Sequence, residues 1–182
     1  MECKIVSLNI WNGGRLLDQA LEFLINEKAD LMFIQEAYYG QDPSFDDRFR
    51  TVQLITQAFP DYFFEFAPAY LDTREKEGPI EEGQLILSRW PLSGAKNIFF
   101  DIPYGKYDQD HHPDFSIFPA NVQVADIQLG SKQCRLLNVH GPVFNDGLAD
   151  TDRRLRMRVV LLEEIASEDL VILGGDFNVR AA

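Results

Sequence analysis

Apolar residues recur along this chain in two rhythms, and the two alternate. Lys4–Asn9 (KIVSLN) is an apolar run stopped by Asn12-Gly13-Gly14, the pattern of a buried strand. Leu16, Leu17, Ala20, Leu21, Leu24 and Ile25 follow at helical spacing and predict an amphipathic helix over about Arg15–Glu27. Leu31–Glu36 (LMFIQE) is apolar again but too short for a helix between its flanks. Phe49, Val52, Ile55 and Phe59 mark a second helix, ended by Pro60. Tyr62–Tyr70 and Gln84–Ser88 read as strands around a charged turn, Asp72–Glu82. The run Ile98–Ile102 leads into a polar loop, Tyr104–Asp114, that carries His111 and His112. Strands at about Asn121–Gln128 and Cys134–Val139 flank a Gly130-Ser131 hairpin turn. Asp150 or Thr151 can cap a third helix, Arg153–Ala166, with Leu155, Val159, Leu162 and Ile165 on one face. Leu170–Gly174 is the last strand, followed by GDFNVRAA. Many strands with a few interspersed helices predict an α/β sandwich organised as one domain over 1–182, with no repeat or linker.

Composition narrows the class. With 182 residues, 46% hydrophobic and 25% charged, the chain is long enough to bury a sizeable core and ordinary for a globular protein. Its fourteen Phe favour a layered, β-rich interior. The net charge of −12 argues against a protein that grips a duplex through a broad basic face, since phosphate neutralisation supplies most of that affinity. It is compatible with a small phosphoester, or with nucleic acid held mainly through a metal. Cys3 and Cys134 sit in apolar runs and are expected to be reduced core residues. No apolar stretch has membrane-spanning length and no signal-peptide pattern opens the chain, so the expected location is the cytoplasm.

Chemistry concentrates where apolar strands end. Ile5–Leu8 runs into Asn9, Leu31–Ile34 into Gln35-Glu36, Arg135–Val139 into His140, and Leu170–Leu173 into Gly174-Gly175-Asp176-Phe177-Asn178. If these strands lie side by side in the same sense, their polar ends meet on one rim, where ligands collect in such sheets. Carboxylates and amides suit a hard cation such as Mg²⁺, while the lack of thiolates or a His pair argues against zinc. His140 is then better suited to carry a proton or to face a phosphate than to ligate. Taken singly, Asn9 could be a turn former, Glu36 a solvated strand end and His140 a satisfied loop histidine; GGDFN is the hardest to read that way. Arg153, Arg154, Arg156 and Arg158 form one basic cluster at the start of the third helix. Cations are disfavoured there by the helix dipole, so Arg153 is a candidate for substrate phosphate, with a solvated helical face as the alternative. Tyr38 and Tyr39 could line the cleft or pack in the core.

LNIWN, IQEAYY, EEGQLILSRWPL, NVHGPV and GGDFN, in that order, resemble the successive motifs of the endonuclease/exonuclease/phosphatase family over residues 4–178. The resemblance implies a four-layer α/β/β/α sandwich of the deoxyribonuclease-like type. It implies Glu36 as main metal ligand, with Asn9 supporting both the metal (Mg²⁺ or Mn²⁺) and the phosphate. Asp176 would orient or deprotonate the attacking water, and Asn178 would donate to phosphoryl oxygens. His140 would face the phosphate, with Glu82 as its carboxylate partner, although neighbouring Glu81 competes for that place. The implied reaction is in-line attack of water on the phosphorus of a small-molecule or nucleic-acid phosphoester. The family pattern also continues beyond GGDFN with further strands and a Ser-Asp-His segment. The expectation is therefore a sandwich lacking its last strands, with an unpaired sheet edge open to self-association. The alternative function is a catalytically incompetent family member with a binding or assembly role.

Overall fold

The structure, a computed structural model, describes residues 2–74, 76, 78–111, 114–144 and 151–179. The first apolar run forms β1 (Ile5–Asn9), and α1 (Leu17–Glu27) carries the chain back so that β2 (Leu31–Tyr39) pairs with it in parallel, Asn9 opposite Gln35. After α2 (Thr51–Ala58) come β3 (Phe63–Asp72) and β4 (Ile80–Ser88), and β4 inserts antiparallel between β2 and β3. Then follow β5 (Ser93–Phe99), the two-residue β6 (Lys106–Tyr107), β7 (Asn121–Leu129), β8 (Lys132–His140), α3 (Asp152–Ala166) and β9 (Val171–Asp176). Two sheets result, with strand orders β1-β2-β4-β3-β6 and β5-β7-β8-β9.

Side-chain alternation sorts these strands into layers. Met32, Ile34, Leu85 and Leu87 pack outward on Leu24, Val52 and Ile55 of the α1–α2 layer. Leu31, Phe33 and Ile86 face the other way and meet Ala125, Ile127, Cys134 and Leu136 of the second sheet. The far side of that sheet, Val122, Val124, Leu137 and Val139, is covered by Met157 and Leu161 of α3. The result is an α/β/β/α sandwich, as the resemblance implied. Because β2 and β4 are buried on both faces, they read in sequence as continuous apolar runs rather than alternating ones. Between the sheets the apolar layer gives way toward one end to amides. Gln35 Nε2 donates to Asn138 Oδ1 at 2.6 Å, Asn138 Nδ2 to Gln123 Oε1 at 3.2 Å, and Gln84 Nε2 to Asn121 Oδ1 at 2.9 Å. These bonds offset the cost of burying the amides, although Gln84 Oε1 has no partner among the described residues.

Several boundaries differ from the sequence reading, and each difference has a tertiary cause. β2 continues past Glu36 to Tyr39 across a register shift between Ile34 and Ala37. Glu81 and Glu82 lie within β4 and not in a charged turn, because pairing with β2 and β3 extends the strand to Ile80. β5 starts at Ser93, before the apolar run at Ile98; as an outer strand with an exposed first half it shows no alternation. In α3 the expected core stripe is largely outside: Leu155, Val159 and Leu162 are exposed, while Arg154, Met157 and Leu161 are buried. The helix carries two apolar stripes, and the sheet selects the one continuous with Arg154. Thr151 caps α3, its side chain accepting from Arg154 N at 3.3 Å; Asp150 lies outside the described residues, as does His112. Among the described residues β1 and β9 end the two sheets with unpaired edges, no helix is long and apolar enough to cross a membrane, and both cysteines are free.

Candidate active site

Two parallel pairs, one in each sheet, bring the polar strand ends together. β1 and β2 deliver Asn9 and Glu36; β8 and β9 deliver His140 and Asp176, directly opposite each other in register. The sequence reading assumed neighbouring strands in one sense. The structure distributes the four strands over two sheets whose parallel pairs face each other, with the same convergence at one rim.

Glu36 sits at the β2 irregularity with φ +59°, a left-handed conformation that a non-glycine residue adopts only when its surroundings hold it there. The loop after β1 supplies the hold. Gly13 N donates to Glu36 O at 2.9 Å, and Asn12 N donates to Glu36 Oε2 at 2.5 Å. The loop can come this close because residue 13 is glycine (φ +71°): a Cβ there would lie 2.3 Å from the Tyr38 ring and 2.4 Å from Arg48 O.

Asn9 ties the two sheets together. Its Nδ2 donates to Glu36 Oε1 at 2.8 Å and to Asp176 Oδ2 at 2.9 Å, while its Oδ1 accepts from Trp11 N at 2.8 Å. The Trp11 contact fixes which end of the amide faces the cluster: the nitrogen does, and it bridges the two carboxylates. Asp176 is further fixed by Asn178 N, which donates to its Oδ1 at 2.9 Å. Asn178 adopts φ +52° and donates from Nδ2 to Gly141 O at 2.9 Å, leaving one amide hydrogen for a ligand. Gly175, before Asp176, has φ +139°, and a Cβ there would lie 2.1 Å from Val139 O. His140 Nε2 lies 3.6 Å from Glu36 Oε1, is buried, and has no hydrogen-bond partner among the described residues. A buried polar nitrogen without a partner is costly unless a ligand satisfies it.

The remaining expected residues lie elsewhere. Glu82, opposite Tyr38 on β2, is buried and accepts on Oε2 from Tyr70 Oη at 2.5 Å and Gln109 Nε2 at 2.7 Å; His140 is not among its hydrogen-bond partners. Burial, and secondarily the charge of Glu36, push its carboxyl up to about 8, so it is neutral near pH 7. Glu81 points to the other face, where Tyr104 Oη donates to it at 2.8 Å. Arg153 does not reach the cluster: its guanidinium holds Asp101 at 2.5 and 3.0 Å and donates to the carbonyls of Ser116 and Phe118. Tyr38 is fully buried. His111 pairs with Asp108 at 2.7 Å in an exposed loop.

Asn12 and Gln109 escaped the sequence reading, and Arg154 entered it only as a member of the basic cluster. Asn12 acts through its backbone, which no side-chain pattern reports. Arg154 donates from Nη2 to Asn178 O at 2.8 Å and lies over Phe144, clamping the GGDFN turn to α3. Its spacing with Met157 and Leu161 on one helical face was the available signal. Gln109 stood in a loop with nothing to mark it.

The donor set fits a hard divalent cation, since two carboxylates lie within 2.9 Å of one amide nitrogen. Among the described residues no group of three or more His, Cys, Asp or Glu side chains is arranged to hold a metal by itself. Beside the cluster a shallow groove of about 350 Å³ runs past Asn9, Trp11, Leu16 and Phe23.

Among curated proteins nothing matches the sequence at a significant level. Solved structures do match in fold. An endonuclease/exonuclease/phosphatase family protein from Leptotrichia buccalis aligns with TM-score 0.68 at 15% identity, over 98% of this chain and 69% of its own. A TDP2 from D. rerio complexed with single-strand DNA product aligns with TM-score 0.65 at 19% identity, over 99% and 62%. A mannosyl-6-phosphatase from Bacteroides thetaiotaomicron aligns with TM-score 0.69 at 14% identity, over 99% and 67%. The chain thus spans about two thirds of the length of these structures, and at such identities they speak for the fold. The sequence profile of the Endonuclease/Exonuclease/phosphatase family matches residues 6–182, nearly the whole chain. With that match, this chain belongs to the endonuclease/exonuclease/phosphatase family, a family of phosphoester hydrolases.

Proposed function

We propose that the cluster at the strand ends is the metal- and phosphate-binding centre of a Mg²⁺- or Mn²⁺-dependent phosphoester hydrolase. The observation that carries this reading is the Asn9 amide bridging Glu36 and Asp176, with the unpartnered Nε2 of His140 beside them. Two adjacent carboxylates repel each other and attract a cation, while a lone imidazole nitrogen awaits an anion. A phosphate held by a divalent ion supplies both.

Glu36 would hold the ion, its carboxylate aimed by Asn9 and Asn12 N. When bound, the ion would neutralise charge on the phosphate and on the departing oxygen. Asn9 contributes by donation, since its oxygen is already engaged by Trp11 N. Asp176, fixed by Asn9 and Asn178 N, would orient a water and take its proton. His140 Nε2 and the second amide hydrogen of Asn178 would donate to phosphoryl oxygens as charge builds on them in an in-line displacement. Glu82, bonded to Tyr70 and Gln109 with its carboxyl pushed up by burial, supports the wall beneath Glu36 and is not hydrogen-bonded to His140. The structural neighbours act on or carry quite different phosphoesters, so they support the reaction class without selecting the substrate.

Turnover of bis(p-nitrophenyl) phosphate with Mn²⁺, and calorimetric titration of Mn²⁺ into wild type and Glu36→Gln, test the proposal. Turnover and loss of the Mn²⁺ isotherm in Glu36→Gln are expected, with a rate loss of about 100- to 1,000-fold in His140→Ala. An unchanged isotherm in Glu36→Gln overturns the assignment. Absence of turnover with an intact isotherm favours the non-catalytic, binding reading.

A further inference from the structure

Next to the active centre lies a buried polar cluster that the proposed chemistry does not use. It consists of Tyr38, Tyr70, Asp72, Arg74 and Glu82, all nearly inaccessible, and is closed by Gln109 from the loop after β6. Gln109 is its hub. Its Nε2 donates to Tyr70 Oη at 2.5 Å and to Glu82 Oε2 at 2.7 Å. Its Oε1 accepts from Tyr38 Oη at 3.2 Å and from Arg74 Nη2 at 3.1 Å, and its backbone N reaches Asp72 Oδ1 at 3.4 Å. Arg74 in turn donates to Tyr38 Oη at 3.0 Å and forms a buried ion pair with Asp72. An amide has two donor hydrogens and one acceptor oxygen, and here both ends are engaged inside the protein.

The cluster touches the active centre through Tyr38. Two residues along β2 from Glu36, the Tyr38 ring stacks on Phe49 with centroids 5.9 Å apart and planes 4° from parallel. On its other side it meets Gly13 so closely that even a Cβ would overlap it. Gly13 and Asn12 are the residues whose N–H groups hold Glu36 in its left-handed conformation and aim its carboxylate. The ring is therefore the floor on which the Asn12-Gly13 loop rests, and the hydroxyl at its far end is pinned by Gln109 and Arg74. Rotation or sliding of Tyr38 would carry the loop, and with it the Asn12 N–H, away from Glu36 Oε2.

We propose that Gln109 is a positioning residue for the metal ligand Glu36, acting through Tyr38 and the Asn12-Gly13 loop; this rests on the reading of Glu36 as metal ligand. The loop of residues 104–111 is thereby coupled to the metal centre, although none of its side chains hydrogen-bonds to Asn9, Glu36, His140 or Asp176 among the described contacts. Supporting partners of this kind typically govern metal affinity by about 10- to 100-fold.

The test is calorimetric titration of Mn²⁺ into the 182-residue chain and into Gln109→Ala, Tyr38→Phe, Gln84→Ala and Glu36→Gln, with urea unfolding of each. Tyr38→Phe keeps the ring that supports the loop and removes only the pinned hydroxyl, so it serves if Gln109→Ala does not fold. Gln84→Ala removes another buried inter-sheet amide, bonded to Asn121, and reports the effect of stability loss alone. Expected are an approximately tenfold weaker Mn²⁺ affinity in Gln109→Ala and Tyr38→Phe, wild-type affinity in Gln84→Ala, and no binding in Glu36→Gln. Wild-type affinity in Tyr38→Phe and in folded Gln109→Ala, with binding still lost in Glu36→Gln, overturns the positioning role and leaves the metal assignment standing. Equal weakening in Gln84→Ala makes the effect one of general stability and overturns it too. Failure of the wild type to take up Mn²⁺ removes the metal reading itself, and this proposal with it.

Discussion

Glu82 is buried at 4% exposure, and its carboxyl is pushed up to about 8 from an ordinary 4.5, first by burial and then by the charge of Glu36. Replacing it with Gln mimics the protonated acid with nearly the same shape and keeps an oxygen to accept from Tyr70 and Gln109. Proton counting sets the sign of the effect. Below about pH 4.5 folded and unfolded wild type both carry the proton. Between about 4.5 and 8 only the folded state does, so folding stability falls as pH rises, by about 1.4 kcal/mol per unit. Above the folded value both states are ionised and the loss is complete. Glu82→Gln has no proton to lose there, and the other titrating groups contribute alike to both proteins. Urea unfolding from pH 5 to pH 8.5 should therefore show Glu82→Gln gaining on wild type by roughly 4 kcal/mol in total, nearly all of it before pH 8. A difference that stays flat with pH, or that moves the other way, would show an ionised Glu82 in the fold. It would then restore the carboxylate expected as a partner for His140.

Two further substitutions probe the supports of the site. Gly13→Ala forces a Cβ against the Tyr38 ring and Arg48 O at a φ of +71°; a loss of about 1–3 kcal/mol in urea unfolding is expected, and unchanged stability would mean the loop relaxes without cost. Arg153→Met leaves Asp101 without its mostly buried partner and should cost about 3 kcal/mol of stability, with KM for bis(p-nitrophenyl) phosphate unchanged. A raised KM at wild-type stability would assign Arg153 to the substrate instead.

How much was legible varies by residue, and the reasons are physical. Glu36, His140 and Asp176 could be found because a buried strand advertises itself as an apolar run, and a polar residue at its end breaks the pattern. Arg153 misled because sequence shows that a cation stands at a helix start but not which way the helix is turned. The same blindness put Leu155, Val159 and Leu162 on the core face and left Arg154 undistinguished within the basic cluster. Glu82 was identified by its place in a motif, yet its charge state depends on Tyr70, Tyr38 and Gln109 closing over it from separate segments.

Alternating hydrophobic rhythm was enough, by itself, to indicate the α/β character, and the resemblance of the ordered motifs from LNIWN to GGDFN indicated the family. They also marked the residues that the proposed metal and phosphate centre uses, since local pattern and motif order are properties of the chain. Only the tertiary structure decided that the converging strands belong to two facing sheets, that Asn9 presents its nitrogen to two carboxylates, and that Glu36 is held left-handed by the Asn12-Gly13 loop. It also decided that Gln109 joins Tyr38, Tyr70, Arg74 and Glu82 in one buried hydrogen-bonded cluster. These are contacts between segments far apart in sequence, and their strength depends on burial and orientation, which exist only once the sheets have packed.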